Sequence, residues 1–390
     1  MTNKKAPSIR FKGFTDDWEQ RKFSDIVSKE STAQESSSTL PSIEYEDVIS
    51  EEGILNKDIR NKEGSKKGIY FDGSQVLYGK LRPYLHNWIN PDFAGVAVGD
   101  WWVLRPNNVE KRFLYRLIQT QKFDDIANQS AGSKMPRADW NLISNSEFEI
   151  PATIDEQEKI AGVFDNLDNL ITLHQRECER LRIVKKSMLE NMFPKNGERV
   201  PKIRFSGFTD DWEQRKLGDV FVEYSEKNHE ELPALMIIQG GGTVRRDESD
   251  RSLLYDKANL SNYKMVKEGD FIVHLRSFEG GLEKATNTGI ISPAYHTFHG
   301  ENTDSRFYYS YFRSKKFIEI DLKPHVYGIR DGRSIDIEGM KTIKIPSTSY
   351  EEQKVIGTFI EQLDHLITLH QSKLEQLRLI KKSMLEQMFV

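Results

Sequence analysis

Two stretches of the chain place apolar residues alternately four and three positions apart, which is typical of a helix that buries one stripe of its surface. The first stripe consists of Ile160, Phe164, Leu167, Ile171, His174, Cys178, Leu181, Lys185, Met188 and Met192. The second consists of Leu363, Ile367, His370, Leu374, Leu377, Lys381, Met384 and Met388. We therefore predict two helices of roughly forty residues, each about 60 Å long.

The start of each predicted helix follows an Ile-Pro pair. A capping box is predicted at Thr153 and Glu156, and a second at Thr348 and Glu351. Two such helices in one chain are expected to pack on each other along their stripes. We favour an antiparallel pair, because a duplicated chain then has a pseudo-twofold axis, although the sequence leaves the orientation open.

The helices belong to an internal repeat. Residues 7–26 return at 201–220 with 15 of 20 positions identical, and residues 170–193 return at 366–389 with 17 of 24 identical. Between these matched ends the two halves show no convincing similarity. A repeated frame with divergent inserts predicts a constant scaffold that holds two different recognition modules.

The divergent inserts combine strand and helix patterns. Short apolar runs bounded by glycine predict strands, whereas residues 111–123 have helical spacing. We predict an α+β fold in which two globular α+β domains are joined by two long antiparallel coiled-coil helices, with pseudo-twofold internal duplication. The predicted boundaries are 1–151 for the first domain, 152–194 for the first helical region, 195–346 for the second domain and 347–390 for the second helical region.

Composition narrows the class of protein. The chain has 390 residues, of which 37% are hydrophobic and 30% charged, and it has no run of about eighteen apolar residues that could span a membrane. No apolar signal region follows the N-terminal residues. Its single cysteine, Cys178, excludes a disulfide framework and a cysteine zinc site. We expect a soluble cytoplasmic protein with no membrane segment and no metal.

Known catalytic motifs do not match the sequence. The glycines at 240–242 lack the lysine and serine of a phosphate-binding loop. The segment Asn90-Pro91-Asp92-Phe93 differs from the Asn-Pro-Pro-aromatic loop of aminomethyltransferases, because Asp92 replaces the second proline. Cys178 aligns with Leu374 of the second copy, which indicates a seam residue and not a nucleophile. We predict no catalytic residue.

Recognition is the remaining class of function. A net charge of -4 means that nucleic-acid binding would depend on local basic patches. Cations alternate with aromatic residues and glycines in predicted loops, and arginine can bind guanine or phosphate. The predicted DNA-binding residues are Lys80, Arg82, Tyr84, Lys134 and Arg137 in the first insert, and Arg245, Arg246, Arg276, Tyr327, Arg330 and Arg333 in the second.

The first repeated segment is rich in aromatic residues. Phe11, Phe14 and Trp18 recur as Phe205, Phe208 and Trp212. We interpret them as scaffold packing, and the alternative is a patch that docks a partner protein.

The combination of these features resembles the specificity (S) subunit of a type I restriction–modification system. The resemblance rests on the repeated P-x-I-R-F-x-G-F-T-D-D-W-E-Q-R-K, on Ile150–Gln157 and Ile345–Gln353, and on the repeated ITLHQ…KKSMLE…MF helices. The insert segments LYGKLRPYL, GSKMPRADW and SFEGGLEKA also contribute. It covers essentially the full length of the chain.

This resemblance implies a non-catalytic chain with two target recognition domains, each reading one half of a bipartite asymmetric site in double-stranded DNA. It also implies that the paired helices set the gap between the half-sites and dock two adenine-N6 methyltransferase (modification) subunits. The restriction (endonuclease and translocase) subunits are further partners. S-adenosylmethionine, ATP and Mg are expected to belong to those partner subunits, so that this chain binds no cofactor.

Residues on the helix stripes are expected to form the seam between the helices or to dock a partner. They are Leu167, Ile171, His174, Leu181, Met188, Leu363, Ile367, His370, Leu377 and Met384. Two other hypotheses remain. One is a non-catalytic coiled-coil adaptor whose inserts bind protein or another ligand. The other is a self-contained nuclease or methyltransferase, which the missing motifs disfavour.

Overall fold

The computed structural model describes residues 6–62, 64–129, 135–195, 197–248, 257–328 and 333–390. The chain divides into two compact units. One comprises Met1–Gln175 and Ser372–Val390, and the other comprises Arg176–Gln371. Each unit therefore contains one insert, the repeated segment before it and parts of both long helices. The domain boundaries predicted from the sequence stay a prediction.

The first unit contains a mixed set of short strands and helices followed by the first long helix. In chain order these are β1 (Glu19–Lys22), α1 (Phe23–Ile26), β2 (Val27–Lys29), β3 (Ala33–Glu35), β4 (Ser42–Ile43), β5 (Val48–Ile49), β6 (Ile54–Leu55), β7 (Lys67–Phe71), β8 (Val76–Gly79), β9 (Trp88–Ile89), β10 (Gly95–Ala97), β11 (Trp101–Pro106), α2 (Lys111–Leu117), α3 (Gln121–Ala127), α4 (Trp140–Asn145), β12 (Glu147–Ile150) and α5 (Ile154–Asn191). The strands form sheets of order β2-β11-β8-β9 and β3-β7-β10-β4, and two pairs, β1-β12 and β5-β6.

The second unit repeats this plan with its own insert. Its elements are β13 (Glu213–Lys216), α6 (Leu217–Val220), β14 (Val222–Tyr224), β15 (Leu235–Ile238), β16 (Gly242–Arg245), β17 (Lys264–Val266), β18 (Phe271–Val273), α7 (Ser277–Gly280), β19 (Glu283–Lys284), β20 (Gly289–Ile291), β21 (His296–His299), α8 (Ser305–Phe312), β22 (Val326–Tyr327), β23 (Ser334–Ile335), α9 (Ile337–Lys341), β24 (Lys344–Ser347) and α10 (Tyr350–Met388). A π-helical segment covers Phe317–Leu322. The main sheet has the order β14-β21-β18-β19.

The two main sheets share one topology, although the inserts share no recognisable sequence. In the first unit β11 lies between β2 and β8, and in the second β21 lies between β14 and β18, with every pairing antiparallel. Strands β1 and β13 of the repeat pair in the same way with β12 and β24, the strands that precede the long helices. The predicted α+β class and internal duplication are confirmed.

The end of each long helix completes an aromatic core. In the first unit Phe389 stacks on Phe113, with ring centroids 5.3 Å apart, and contacts the edge of Trp18 at 6.3 Å. In the second unit Phe193 lies 6.1 Å from Trp212. Both tryptophans are buried, which agrees with the interpretation of the repeated aromatic residues as scaffold.

The capping residues are as predicted for one helix and not for the other. Thr153 Oγ1 accepts a hydrogen bond from the Glu156 amide at 3.3 Å, as expected for the start of α5. At the start of α10 the cap is Ser349, whose Oγ accepts from the Glu352 amide at 3.3 Å. The prediction of a cap at Thr348 with Glu351 was wrong by one residue, because the serine–glutamate pair occupies the position that matches the first helix.

A buried glutamine fixes the insert of each unit to the first turn of the long helix. Gln157 accepts from the Glu110 amide at 2.8 Å and donates to the Pro151 carbonyl at 3.0 Å. Gln353 likewise accepts from the Asp304 amide at 3.0 Å. Glu110 and Asp304 are the N-caps of α2 and α8, so the glutamine of each Ile-Pro motif positions a helix of the insert.

The helices pair in antiparallel orientation in each unit, as predicted. In the second unit Cys178 Sγ lies 3.9 Å from the Ile367 carbonyl oxygen, and Lys185 Nζ lies 2.5 Å from Asp364 Oδ1. In the first unit Lys381 Nζ lies 2.7 Å from Asp168 Oδ1, and burial lowers the pKa of Lys381. No helix in the described ranges has an apolar stretch long enough to cross a membrane.

Candidate nucleic-acid interface

The loop that follows β8 gathers the cations predicted for the first insert. The Arg82 amide donates to the Pro136 carbonyl at 2.7 Å, and the Ala138 amide donates to the Lys80 carbonyl at 2.9 Å. A β-bridge joins Leu81 to Arg137. The structure therefore brings Lys80, Arg82 and Arg137 together, whereas Lys134 lies outside the described residues.

Asp100 is the shared counter-ion of this first loop cluster. Arg137 donates to its carboxylate through Nε at 3.1 Å and Nη2 at 3.0 Å, and Lys80 Nζ lies 3.6 Å away. The Arg137 hydrogen bonds lower the pKa of Asp100. The carboxylate orders both cations, and the partly exposed Arg137 retains a surface that a phosphate or a base edge can approach.

The backbone of the same loop adopts a conformation that few non-glycine residues accept. Arg82 and His86 have φ of 49° and 52°, on either side of a 3₁₀ turn at Pro83–Leu85. Tyr45 Oη supports the loop by donating to the Leu81 carbonyl at 2.5 Å. Arg82 Nε is buried without a hydrogen-bond partner, and Tyr84 is exposed. Strained, well-supported loops with unpaired donors are frequent at binding sites.

A second loop cluster forms after β18, the strand that corresponds to β8. Arg276 is exposed at the start of α7, and the Arg333 guanidinium lies 4.3 Å from the centre of the Phe278 ring and 3.1 Å from Glu279. Tyr327 pairs with Ser334, next to Arg333, and its side chain is exposed. The structure therefore places Arg276, Tyr327 and Arg333 around α7. Arg330 lies outside the described residues.

His274 supports the second loop as a neutral residue. Its Nδ1 accepts from the Arg276 amide at 3.2 Å, and its own amide donates to Ser277 Oγ at 2.9 Å. Burial, with a further contribution from Arg313, lowers the pKa of His274 to about 4. The uncharged imidazole therefore shapes the backbone next to Arg276 without adding charge.

Arg245 and Arg246 lie away from this cluster. Arg245 is the last residue of β16, where it pairs with Leu235 in the β15–β16 hairpin, and Arg246 follows it. The opposite end of the hairpin faces α7, since a Cβ on Gly280 would lie 1.9 Å from Gln239 Nε2. Three ladder positions of about 3.3 Å therefore separate the arginines from that end. Arg245 also binds Asp247 at 2.8 Å, so the predicted role of these two residues in DNA binding stays a prediction.

Sequence reasoning missed two features of these loops. Both contain Leu-Arg after the matched strand, as Leu81-Arg82 and Leu275-Arg276, with an aromatic residue two positions later. Comparison of the two inserts for this short motif would have revealed it. Leu275 is 67% exposed, and an apolar side chain there can contact a thymine methyl group.

The helix residues predicted for the seam are all buried or half-buried. Outside the seam, both helices expose apolar residues at equivalent positions of the repeat. These are Leu170, Leu173 and Ile183 on α5, and Leu366, Leu369 and Leu379 on α10. Exposed apolar residues at matched positions of two helices can contribute to a protein-docking surface.

Metal-ligating side chains in the part of the chain that the structure describes form no cluster that could hold a metal ion. Among the described residues no group of three or more histidine, cysteine, aspartate or glutamate side chains could hold a metal ion. What the two loop clusters present is a set of arginines and aromatic residues supported by buried side chains. Such a surface can bind a base edge or a phosphate.

Comparison with known proteins identifies the family of the chain. The family model described as "Type I restriction modification DNA specificity domain" matches residues 15–182 and 209–379. The type I restriction enzyme MjaVIII specificity subunit of Methanocaldococcus jannaschii is 26% identical over 279 residues, 67% of this chain and 65% of that protein. The putative type I restriction enzyme MjaX specificity subunit of the same organism is 24% identical over 305 residues, 73% of this chain and 68% of that protein. The matches thus span about two thirds of these curated relatives.

A solved structure shows the same fold. The crystal structure of a type I restriction–modification S subunit from M. genitalium matches 99% of each chain with a TM-score of 0.62, at 12% identity. The two matched segments of the family model cover most of the sequence, and each contains one of the two loop clusters. The chain belongs to the family of type I restriction–modification DNA specificity domains, and it contains that domain twice.

Proposed function

We propose that this chain is the DNA sequence-recognition subunit of a type I restriction–modification complex. One observation supports the proposal above the others. The loop after β8 and the loop after β18 each present an arginine and an aromatic residue from the same position of the same sheet topology. Two modules of one plan with different loop residues are suited to two unlike DNA half-sites.

The first loop cluster reads one half-site and the second reads the other. Arginine gives base discrimination through bidentate hydrogen bonds to guanine, while further cations hold the phosphates. The antiparallel helix segments supply a stiff connection, so the gap between the half-sites has a fixed length. The chain itself is not an enzyme.

The partners follow from the same proposal. Two modification subunits dock on the helices through these exposed leucine and isoleucine residues, and they transfer the methyl group of S-adenosylmethionine to adenine N6. The restriction subunits use ATP and Mg. This chain binds none of these three cofactors, and the complex acts in the cytoplasm. Family membership favours this function over the adaptor hypothesis.

The test is genome-wide mapping of N6-methyladenine in cells that express the chain with its modification subunit. We expect one new motif with two unlike halves and a fixed gap, methylated once on each strand. Cells that express the modification subunit alone are the control and should lack the motif. A soluble complex that methylates no such motif would contradict the proposal.

A further inference from the structure

One carboxylate in the first unit contacts both long helices. Glu52 lies in the turn between β5 and β6, and its Oε1 accepts from Gln175 Nε2 at 3.0 Å and from Arg378 Nη2 at 2.7 Å. Gln175 belongs to α5 and Arg378 to α10. The turn of the recognition domain is therefore fixed to both helices of its unit through a single side chain.

The surroundings of Glu52 show what holds the β5–β6 turn on the helices. A cavity of about 950 Å³ lies between the β5–β6 turn and the helix segments, and charged and other polar residues make up most of its lining. The apolar attachment of the domain lies elsewhere, where Phe113 and Phe164 pack around Phe389. Since polar bridges and not a packed core hold the β5–β6 turn across this cavity, loss of the Glu52 bridge would free the turn to shift on the helices.

The same turn is joined to the first recognition loop. The Glu51 amide donates to the His86 carbonyl at 3.0 Å, and Ser50 Oγ donates to Asn87 Oδ1 at 3.0 Å. His86 closes the loop that contains Arg82. The β5–β6 turn is thus hydrogen-bonded to the two helices through Glu52 and to the end of the first recognition loop through Glu51 and Ser50.

We infer that Glu52 is a positioning residue, which holds the first recognition loop at a fixed place on the helix pair and thereby makes the complex selective for gap length. This inference rests on the proposed function. Loss of the bridge lets the loop shift along the DNA, so the base preference of the half-site is kept while neighbouring gap lengths become acceptable.

The repeat offers a matched control. Arg182 of α5 occupies the position that corresponds to Arg378 of α10, 196 residues earlier. Its side chain is exposed, and it makes no ion pair with any described residue. Substitution of Arg182 changes the same charge on an equivalent helix without breaking the Glu52 bridge.

The experiment uses the purified complex of the full chain with its modification subunits. Duplexes contain the mapped target with its native gap, or with a gap one base pair shorter or longer, and initial methylation rates are measured. For Glu52→Gln we expect the rate on the native gap to stay within about twofold of wild type, while the preference for that gap falls about threefold, as a partly exposed ion pair allows. Arg378→Glu should behave alike, and Glu52→Arg with Arg378→Glu should restore the preference.

The outcomes separate this inference from the function on which it rests. Unchanged gap preference in Glu52→Gln, or a changed base preference in the half-site, would overturn the positioning role. The same loss of preference in Arg182→Glu would overturn it too, because the effect would then be one of helix charge. A wild-type complex that methylates all three gap lengths equally would instead contradict the proposed function, and the positioning role with it.

Discussion

Arg10 donates two hydrogen bonds to the carboxylate of Glu156, from Nε at 2.7 Å and from Nη2 at 2.9 Å, across 146 positions of the chain. The indole Nε1 of Trp18 lies 3.3 Å from the same carboxylate. Arg204 and Glu352 repeat the pair in the second unit at 2.7 and 2.9 Å. Each repeated segment is therefore tied to the first turn of a long helix by a buried ion pair.

Glu156→Ala should destabilise the first unit by about 3 kcal/mol, because the Arg10 guanidinium loses its partner in a mostly buried site. Glu156 is only 2% exposed, so water cannot replace the carboxylate without rearrangement. Amide hydrogen exchange of β1 and β12 measures the effect. The control is Glu158→Ala, which removes a carboxylate from an exposed position two residues further along α5. Equal protection in the two variants would contradict the prediction.

The aromatic residue at the end of each long helix should stabilise one unit and not the other. Phe389→Ala removes a ring from the core around Trp18 and Phe113, and we expect a loss of about 3 kcal/mol in the first unit. Phe193→Ala should have the same effect on the second unit, around Trp212. Hydrogen exchange resolved by peptide distinguishes the two, and each variant is the control for the other. Loss of protection in both units from either change would contradict this assignment.

Most of the correct fold prediction came from the spacing of apolar residues and from the internal repeat. The four-three spacing predicted α5 and α10 because a buried stripe on a long helix is a local property of sequence. The cap at Ser349 was missed since Thr348 and Glu351 satisfy the same spacing one residue earlier, and local chemistry does not distinguish the two. Comparison with the first copy would have distinguished them, because Thr153 and Glu156 correspond to Ser349 and Glu352.

The site was predicted less completely, because its geometry depends on contacts between distant segments. Lys80 and Arg137 were both selected for their charge, yet only the pairing of their loops places them on one aspartate. Arg245 was selected for its charge in the same way, but it lies at the end of the β15–β16 hairpin that is farther from α7. The sequence around Glu52 did not indicate its role, since its partner Arg378 is 326 positions away. Strand pairing and long-range ion pairs are set by tertiary packing, which local sequence does not reveal.

His86 should make the first recognition loop more stable at low pH. Its hydrogen bond to Asp124, 3.0 Å away, raises the pKa of the imidazole despite partial burial, with Glu51 at 3.4 Å as a second acidic neighbour. Since the folded state favours the protonated ring, its stabilisation is complete below about pH 6.5. It is lost as the pH rises through the higher folded-state value.

The measurement is the difference in unfolding midpoint between wild type and His86→Gln as a function of pH. This difference should be largest in mildly acid solution and shrink above neutrality. The control is His365→Gln, which removes a histidine from an exposed position of α10. A difference that grows with pH would contradict the role of the Asp124 contact.

Arg276 and Arg82 should each control one half of the DNA site. Loss of a bidentate arginine–guanine contact costs about 1–3 kcal/mol, so Arg276→Ala should lower methylation of the native target by roughly tenfold or more. Preference at positions in the second half-site should relax, while the first half-site keeps its preference. Arg82→Ala should do the reverse, because its loop occupies the corresponding place in the first unit.

The assay is methylation of a library of duplexes in which each half-site is randomised separately. Lys202→Ala removes an exposed cation from the repeated segment and is the charge control, since a general loss of phosphate attraction would weaken all sequences alike. Half-site-specific relaxation in Arg276→Ala together with a uniform, small effect in Lys202→Ala would mark Arg276 as a base-reading residue. A uniform loss across both half-sites in Arg276→Ala would reduce it to a phosphate contact, and the second loop cluster would then need another reader, for which the exposed Leu275 is the nearest candidate.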